Sequence, residues 1–334
     1  MTTTRPRTFD IHAHILEKYT VAALNAATPE AQVSLVDTGP EYSDLTVRGV
    51  TYRKFPRGGW DVARRLSDMD RMGYDRQLLA ATPQTFLHDI APEAGRIAAQ
   101  VQNDAIIARC KAMPDRFMGL ATLPMQSPEM AAAELARAMD LGMSGAMIGS
   151  HTNGVNLDDP ELEPLWAEAE KRGAFMMIHP VKVAGIERQK SYYLQNFIGN
   201  PLDTTIAAAC LVFGGVLERF PTLKIILSHG GGFTPYQAAR WIHGWAERDE
   251  AKVRLKGEPG PSIDKLIYDA ILHDGAPLQF LIDWAGSKRV LLGSDYPFDM
   301  GQYDLIEVID GLRLTDAARR DVLAVAAEAL VPGA

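Results

Sequence analysis

The sequence Phe-Asp-Ile-His-Ala-His occupies residues 9–14, at the end of a short apolar run near the start of the chain. On an extended strand, side chains two positions apart lie on the same face. His12 and His14 are therefore expected to point the same way, and two imidazoles on one face can hold one metal ion. The pair alone is a weak signal, because 8 histidines in 334 residues produce such pairs by chance.

Short β-type runs alternate with longer helical patterns along the rest of the chain. Several helical patterns open with a proline or a capping residue. The predicted strands are 8–11, 76–80, 117–120, 145–148, 175–178, 225–227, 266–268 and 290–292. The predicted helices are 61–72, 92–113, 128–141, 160–172, 204–219, 234–247, 277–284 and 316–330. Eight βα units predict an α/β fold, a (β/α)8 TIM barrel, with residues 1–334 as a single domain.

A doubly wound open sheet is the competing fold, but no GxGxxG motif follows the first predicted strand. Two stretches are too long for ordinary loops between a strand and a helix. Residues 17–60 are rich in Gly, Pro, Thr and charged residues, and residues 181–201 contain a polar and aromatic cluster. We expect them to be insertions after strand 1 and strand 5, the first of which lies over the mouth of the barrel.

Composition excludes several classes of partner. A net charge of -8 and a pI near 5.5 argue against a nucleic-acid or anionic-membrane surface, which needs a basic face. Residues 1–8 are not followed by the apolar core of a signal peptide, and the sequence nowhere contains about 18 uninterrupted apolar residues. Cys110 and Cys210 lie in helix-like contexts typical of buried free thiols. A cytoplasmic protein that neither binds nor spans a membrane is expected.

Five histidine and aspartate residues fall at the ends of predicted strands. His12 and His14 close the first strand, His179 follows the fifth, His229 the sixth and Asp295 the eighth. Active sites of barrels form at the carboxyl ends of the strands. One polar residue in such a position is more often structural, but five on the same face are expected to converge in one pocket.

Four motifs extend this pattern over nearly the whole chain. They are FDIHAHI (9–15), MMIHP (176–180), LSHGGG (227–232) and LLGSDYPF (291–298). In their order and spacing the sequence resembles the amidohydrolase superfamily, and within it the branch of aminocarboxymuconate-semialdehyde decarboxylase and related aromatic-acid decarboxylases. Any one motif is unspecific, whereas the combination is specific.

The resemblance implies that His12, His14, His179 and Asp295 bind a metal ion and that His229 is the catalytic acid/base, with Asp295 also part of the catalytic group. Three neutral imidazoles and one carboxylate, with one position left for water, suit a catalytic divalent ion, zinc or alternatively manganese. Binuclear relatives need a bridging lysine at the end of the fourth strand. That strand here ends Ile-Gly-Ser-His at residues 148–151, so one ion per chain is expected.

His151 and the glycines after His229 can each be interpreted in two ways. His151 is a possible further ligand, but the sequence His-Thr-Asn-Gly that it opens is typical of a surface loop, and the resemblance gives it no metal role. Three glycines follow His229, and we expect them to clear space around a proton-moving imidazole. A phosphate-binding loop is the alternative, but the lysine of such loops is absent from this motif.

The resemblance also implies substrate-binding residues and an assembly. Arg53 and Arg240 match positions at which relatives grip substrate carboxylates, and the second reaches into the neighbouring subunit, so a homodimer is expected. The planar guanidinium matches the two oxygens of a carboxylate, although most arginines are solvated surface groups. Tyr192 and Phe298 are expected to wall a flat unsaturated ligand.

These observations favour a metal-dependent, non-oxidative decarboxylase, a carbon–carbon lyase of aromatic catabolism. Its expected substrate is a small unsaturated or aromatic carboxylic acid of the aminocarboxymuconate-semialdehyde or hydroxybenzoate type, and no organic cofactor is needed. A hydrolase of an amide, lactone or C–C bond is the alternative, because fold and ligands alone do not select a reaction. A third interpretation is a binding protein with a structural metal. A structural site has little need of a free histidine beside the ligands.

Overall fold

The computed structural model describes residues 7–334; residues 1–6, part of the stretch in which the sequence predicts no export signal, lie outside the described residues. The fold is α/β, with parallel strands that alternate with helices. The strands are β1 (Phe9–Ile15), β2 (Val33–Asp37), β3 (Tyr42–Val47), β4 (Val50–Pro56), β5 (Arg76–Ala81), β6 (Phe117–Gly119), β7 (Gly145–Gly149), β8 (His151–Thr152), β9 (Val155–Asn156), β10 (Phe175–His179), β11 (Lys224–Leu227), β12 (Ile267–Asp269) and β13 (Val290–Leu291).

The helices follow the sequence signals closely at several of their ends. Asp61 caps the start of the helix that follows it, because its side chain accepts a hydrogen bond from the backbone N–H of Arg64. Gly73 ends the same helix in the left-handed backbone conformation. The helices are α1 (Lys18–Ala27), α2 (Val62–Met72), α3 (Pro92–Ala112), α4 (Pro128–Asp140), α5 (Glu163–Arg172), α6 (Asn200–Phe213), α7 (Val216–Arg219), α8 (Thr234–Glu247), α9 (Gly260–Ile263), α10 (Gly275–Ala285), α11 (Leu305–Asp310), α12 (Asp316–Arg320) and α13 (Ala326–Leu330).

Every predicted strand corresponds to a strand of two parallel sheets. One sheet has the order β1-β5-β6 and the other the order β13-β12-β11-β10-β7. Backbone hydrogen bonds join the sheets at both junctions, from Ala121 N to Gly145 O and from Ile11 N to Leu292 O, each 2.9 Å long. The carboxyl ends of parallel strands lie at one edge, so the residues that end these strands can share one site.

Strand β1 is longer than predicted and contains an irregularity. Its pairing with β5 shifts register between Asp10 and Ala13. Phe9 and Ile11 pack in one apolar cluster, whereas Ala13 and Ile15 pack in another. Such a bulge reverses the alternation of faces along a strand. The side chains of His12 and His14 therefore lie on the side of the sheet occupied by Phe9 and Ile11.

The segment between β1 and α2 forms its own small core. It contains α1 and an antiparallel sheet in the order β2-β3-β4. Leu45 and Phe55 of this sheet are fully buried and pack in one cluster with Leu24 and Phe298. Because Phe298 follows Asp295 closely in sequence, this contact brings the sheet next to the end of β13.

Two further sequence expectations concern the cysteines and the membrane. Cys110 and Cys210 are free thiols, and burial raises the pKa of Cys110 to about 12. Among residues 7–334, no helix has both the length and the apolar character that crossing a bilayer requires.

Candidate active site

Four side chains converge at the carboxyl ends of the parallel strands. His12 and His14 lie in β1, His179 ends β10 and Asp295 follows β13, and all four are buried. One ligand atom of each lies within 4.8 Å of the corresponding atoms of the other three. His14 Nε2 lies 3.1 Å from His12 Nε2 and 3.0 Å from Asp295 Oδ1.

The second ring nitrogen of each histidine is held by an oxygen acceptor. Because carboxylate and carbonyl oxygens only accept, each Nδ1 carries the hydrogen and each Nε2 presents a lone pair to the centre. The contacts are His12 Nδ1 to Asp269 Oδ2 at 2.8 Å, His14 Nδ1 to the carbonyl oxygen of Ala81 at 3.2 Å, and His179 Nδ1 to the carbonyl oxygen of Pro180 at 3.0 Å.

The electrostatics of this cluster fit a bound cation. Burial and the imidazoles of His14 and His229 hold the pKa of His179 well below its usual value, so this ring is neutral. Burial by itself raises the pKa of Asp295. The neighbouring imidazoles of His12, His14 and His229 lower it by more, so the pKa of Asp295 lies well below its usual range. His179 Nε2 is buried and has no hydrogen-bond partner among residues 7–334. Converging lone pairs beside a carboxylate repel one another unless a positive charge lies between them.

Asp269, which the sequence analysis did not single out, links two parts of the site. It is fully buried at the end of β12. Its Oδ2 accepts from His12 Nδ1, and its Oδ1 accepts from Gly230 N at 2.8 Å. One carboxylate thus fixes the orientation of a predicted ligand and the loop that carries His229. Its place directly after the predicted strand 266–268 is the signal that could have revealed it.

His229 lies beside the four converging groups. Its Nε2 is 3.4 Å from Asp295 Oδ2, and 16% of its side chain is exposed. His229 and the next residue, Gly230, both have positive φ values, of 55° and 62°. A β-carbon on Gly230 would clash with Leu272, and one on Gly232 would clash with the carbonyl oxygen of Pro201. The glycines therefore permit close packing of a tightly turned loop, in addition to any space that they leave for substrate.

A cavity of about 550 Å³ opens from the converging groups. His179, Asp295 and Phe298 contribute to its lining, together with Tyr52 from β4 and Tyr193 from the segment after β10. The Phe298 ring lies 5.1 Å from that of His14 and 5.7 Å from that of Tyr52, between ring centroids. The volume and the aromatic walls suit a small planar molecule.

The other predicted substrate-binding residues lie outside this cavity. The Arg53 side chain is 82% exposed and lies 3.7 Å from Asp44. It follows Tyr52, and neighbouring side chains on a strand point to opposite faces. Tyr192 is 86% exposed, and Arg240 is exposed on α8. Of the four predicted substrate contacts, the structure places Phe298 in the cavity lining and the other three outside it.

His151 also lines the cavity but does not join the four converging groups. Its Nδ1 accepts from Gly154 N at 3.0 Å, and its Nε2 lies 3.3 Å from the carbonyl oxygen of Lys182. His151 begins β8, which pairs with β9, so the stretch expected to be a surface loop is a short hairpin whose first residue lines the cavity.

The sequence profile described as amidohydrolase matches residues 9–333, and the chain belongs to this family. The chain is 36% identical over 306 residues to the 2-amino-3-carboxymuconate-6-semialdehyde decarboxylase of Dictyostelium discoideum, a match that spans 91% of this chain and 85% of the relative. It is 29% identical over 262 residues to the gamma-resorcylate decarboxylase of a Rhizobium species, with 70% and 76% covered.

Two solved structures of decarboxylases have the same fold as this chain. The 5-carboxyvanillate decarboxylase of Sphingomonas paucimobilis superposes with a TM-score of 0.82 at 25% identity, over 98% of this chain and 99% of that chain. The dihydroxybenzoic acid decarboxylase of a Polaromonas species, solved with bound manganese, superposes with a TM-score of 0.80 at 20% identity, over 98% and 97%. The resemblance inferred from the four motifs is confirmed.

The convergence of the four ligand-type groups predicts about one transition-metal ion per purified chain. His12→Ala, His179→Ala and Asp295→Ala should each remove that ion and the activity, because three remaining groups hold it too weakly. Elemental analysis measures the metal content. His243→Ala, at an exposed histidine of α8, is the control and should keep the ion. Full activity in protein shown to be metal-free would contradict the assignment.

Asp269→Asn tests whether outer hydrogen bonding orients His12. The amide cannot accept with both of its polar atoms, so either His12 or Gly230 loses its acceptor. We expect metal affinity to fall about 10- to 100-fold, the usual scale for such outer partners, as measured by chelator competition. Asp283→Asn, at an exposed aspartate, should leave affinity unchanged. Wild-type affinity in Asp269→Asn would show that His12 needs no such orientation.

Proposed function

We propose that this chain is a metal-dependent, non-oxidative decarboxylase of an unsaturated or aromatic carboxylic acid. The observation that carries the proposal is the buried group of three imidazoles and one carboxylate, with His229 beside it, at a cavity with aromatic walls. The names of the relatives support it, since the Dictyostelium and Rhizobium proteins are both decarboxylases.

The proposed architecture is a (β/α)8 barrel with the site at its mouth. It is supported by the hydrogen bonds that join the two parallel sheets at both junctions and by the apolar cluster of Phe9, Phe175 and Ile226, which brings strands of both sheets together. We propose that residues 17–60 and 181–201 are insertions after the first and fifth barrel strands. Tyr52 and Tyr193, one from each, line the cavity and support this placement.

The proposed cofactor is one divalent ion, held by His12, His14, His179 and Asp295. Zinc is preferred because imidazole-rich sets of four ligands are typical of zinc, and manganese is the second candidate because the Polaromonas decarboxylase contains it. Such an ion, when bound, supplies Lewis-acid polarisation of a substrate oxygen.

The proposed role of His229 is to move the proton that the reaction requires. Its Nε2 donates a proton to the substrate carbon that bears the carboxylate, and a new C–H bond forms. The bond from that carbon to the carboxylate then breaks, its electron pair restores the π system, and CO2 leaves. Water returns the proton to His229. The carboxylate of Asp295 lies beside this ring, with its Oδ2 atom 3.4 Å from Nε2.

His229→Asn separates proton transfer from metal binding. The variant should keep wild-type metal content and lose about a hundredfold or more in turnover, the scale expected when a general acid/base is removed. Turnover is measured as CO2 release on muconate-type and hydroxybenzoate-type acids. Loss of the metal would make His229 a ligand. Hydrolysis of an amide or lactone without CO2 release from any of these acids would favour the hydrolase alternative.

We also propose a homodimer in which Arg240 of each subunit contacts the substrate of the other. Arg240 is exposed on α8 and does not line the cavity of its own chain, so a carboxylate-binding role requires a second subunit. The isologous contact of a two-fold dimer would repeat this arrangement in both sites.

Mixing two inactive variants tests the shared site. Arg240→Ala and His229→Asn should each be nearly inactive. After subunit exchange, verified with tagged chains, each heterodimer has one site with both defects and one with neither. About a quarter of wild-type turnover should return, because roughly half of randomly mixed dimers are heterodimers. Proven heterodimers without recovered turnover, or a fully active monomer, would contradict the shared site.

A further inference from the structure

Asp10 of β1 has no exposed surface, and its carboxylate accepts four hydrogen bonds. Its Oδ1 accepts from the backbone N–H groups of His12, at 3.1 Å, and of Ser294, at 2.9 Å. Its Oδ2 accepts from the Ser294 hydroxyl at 2.6 Å and from Gln77 Nε2 at 2.9 Å. Burial raises the pKa of Asp10, and these four hydrogen bonds oppose that rise. One buried carboxylate therefore fixes the backbone at or beside two predicted metal ligands, His12 and Asp295.

A second buried charge lies on α2. Arg65 has no exposed surface, and its guanidinium donates to the carbonyl oxygen of His14 and, at 3.0 Å, to Gln77 Oε1. Its central carbon lies 4.8 Å from the centroid of the Tyr296 ring, and a cation over an aromatic face is attracted to that ring. Arg65 thus holds the backbone of a third predicted ligand.

Gln77, which pairs with Asp10 across β1 and β5, links the two charges. An arginine side chain has only donors, so the atom of Gln77 that faces Arg65 must be its oxygen. The amide nitrogen then faces Asp10 and can only donate, so Asp10 Oδ2 must accept. The orientation of this amide is fixed at both ends. A change at either charge is therefore transmitted to the other through Gln77.

These contacts lie where β1 departs from regular pairing. Its register with β5 shifts between Asp10 and Ala13, a stretch that contains His12. Backbone groups at a bulge lose their regular strand partners. Asp10 Oδ1 accepts from the N–H of His12 within this stretch, and Arg65 donates to the carbonyl oxygen of His14 just after it. The two side chains thus satisfy the backbone of the segment that turns both histidines to one face.

We propose that Asp10, Gln77 and Arg65, which we call the buried bridge, position the metal ligands as one unit. The inference rests on the metal site of the proposed function. None of the three side chains lines the cavity, so they are positioning residues that act through the backbone of β1 and of the segment after β13. Loss of any member should weaken metal binding.

The buried bridge is expected to be cooperative because its donors and acceptors must match. Asp10→Asn places an amide NH2 where Oδ2 now accepts from Gln77, so two donors face each other. The opposite orientation of the asparagine would set its NH2 against two backbone N–H groups. Gln77 can turn its amide only by presenting its nitrogen to Arg65, which again sets donor against donor. The conflict in Asp10→Asn therefore depends on Arg65.

A double-mutant cycle with Asp10→Asn and Arg65→Met tests the proposal through zinc affinity, measured by chelator competition. Each single variant should lose about tenfold, the lower end of the range for outer partners of metal ligands. Independent sites would give about a hundredfold loss in the double variant, because their free energies add. The buried bridge predicts a loss of only about tenfold, because Gln77 can turn its amide once Arg65 is gone. The visible spectrum of the cobalt-loaded protein, which reports ligand geometry, should change in both single variants.

A second cycle uses Gln77→Leu in place of Arg65→Met and removes no charge. Asp10→Asn should cost less zinc affinity in the Gln77→Leu background than in the wild-type protein, because no donor of residue 77 then opposes the asparagine amide. This cycle decides the question if Arg65→Met does not fold.

Glu134→Gln is the matched control. Glu134 of α4 is 2% exposed, and its carboxylate accepts from the Asn103 amide at 2.7 Å and from Arg137 Nε at 2.8 Å. It is a buried acid with an amide and an arginine as partners, like Asp10, but it does not contact the predicted metal ligands. The variant should lower the stability of the metal-free protein in urea and leave zinc affinity and the cobalt spectrum unchanged.

Three results would overturn the proposal: wild-type zinc affinity in Asp10→Asn, additive losses in either cycle, or an equal loss of zinc affinity in Glu134→Gln. None of these measurements uses a substrate. A failure to detect CO2 release would therefore contradict the proposed reaction and leave the test of the buried bridge intact.

Discussion

Three imidazole nitrogens and a carboxylate oxygen are held together in the buried centre of this protein with their lone pairs facing one another. This arrangement is unfavourable unless a positive charge lies between them, yet outer acceptors enforce it by fixing the hydrogen of each imidazole on Nδ1. The rest of the fold serves this constraint. Parallel strands end at one edge, β1 contains a bulge that turns His12 and His14 to the required face, and His229 and Asp295 adopt left-handed backbone conformations beside them.

Much of this arrangement could be predicted from the sequence, because the histidines and the aspartate that can bind a metal lie at the ends of predicted strands. All eight parallel strands were predicted, and the rule that their carboxyl ends share one edge was enough to bring His12, His179 and Asp295 together. The same rule applied to the strand 266–268 would have added Asp269, whose contact with His12 spans 257 residues of sequence. A strand-end aspartate without a motif around it is not distinctive in the sequence.

Other features depend on local geometry that the pattern does not encode. The register shift in β1 follows from how two strands pair, and the sequence gives no sign of it. Whether Tyr52 or Arg53 faces the cavity depends on the register of an antiparallel sheet inside a long insertion, where a shift of one residue exchanges the two faces. The lining of the cavity comes from segments that are far apart in sequence, between Leu45 and Met300. Residues at strand ends can therefore be predicted from the sequence more readily than the residues that line the cavity.

The central claim is that the convergent imidazoles and Asp295 hold one catalytic divalent ion. X-ray absorption spectroscopy at the zinc edge of the zinc-loaded protein tests it directly. We predict a first shell of nitrogen and oxygen atoms at about 2.0–2.1 Å, with the outer-shell scattering of three imidazoles. A shell that contains sulfur, or one with scattering from fewer than three imidazoles, would contradict this account of the site.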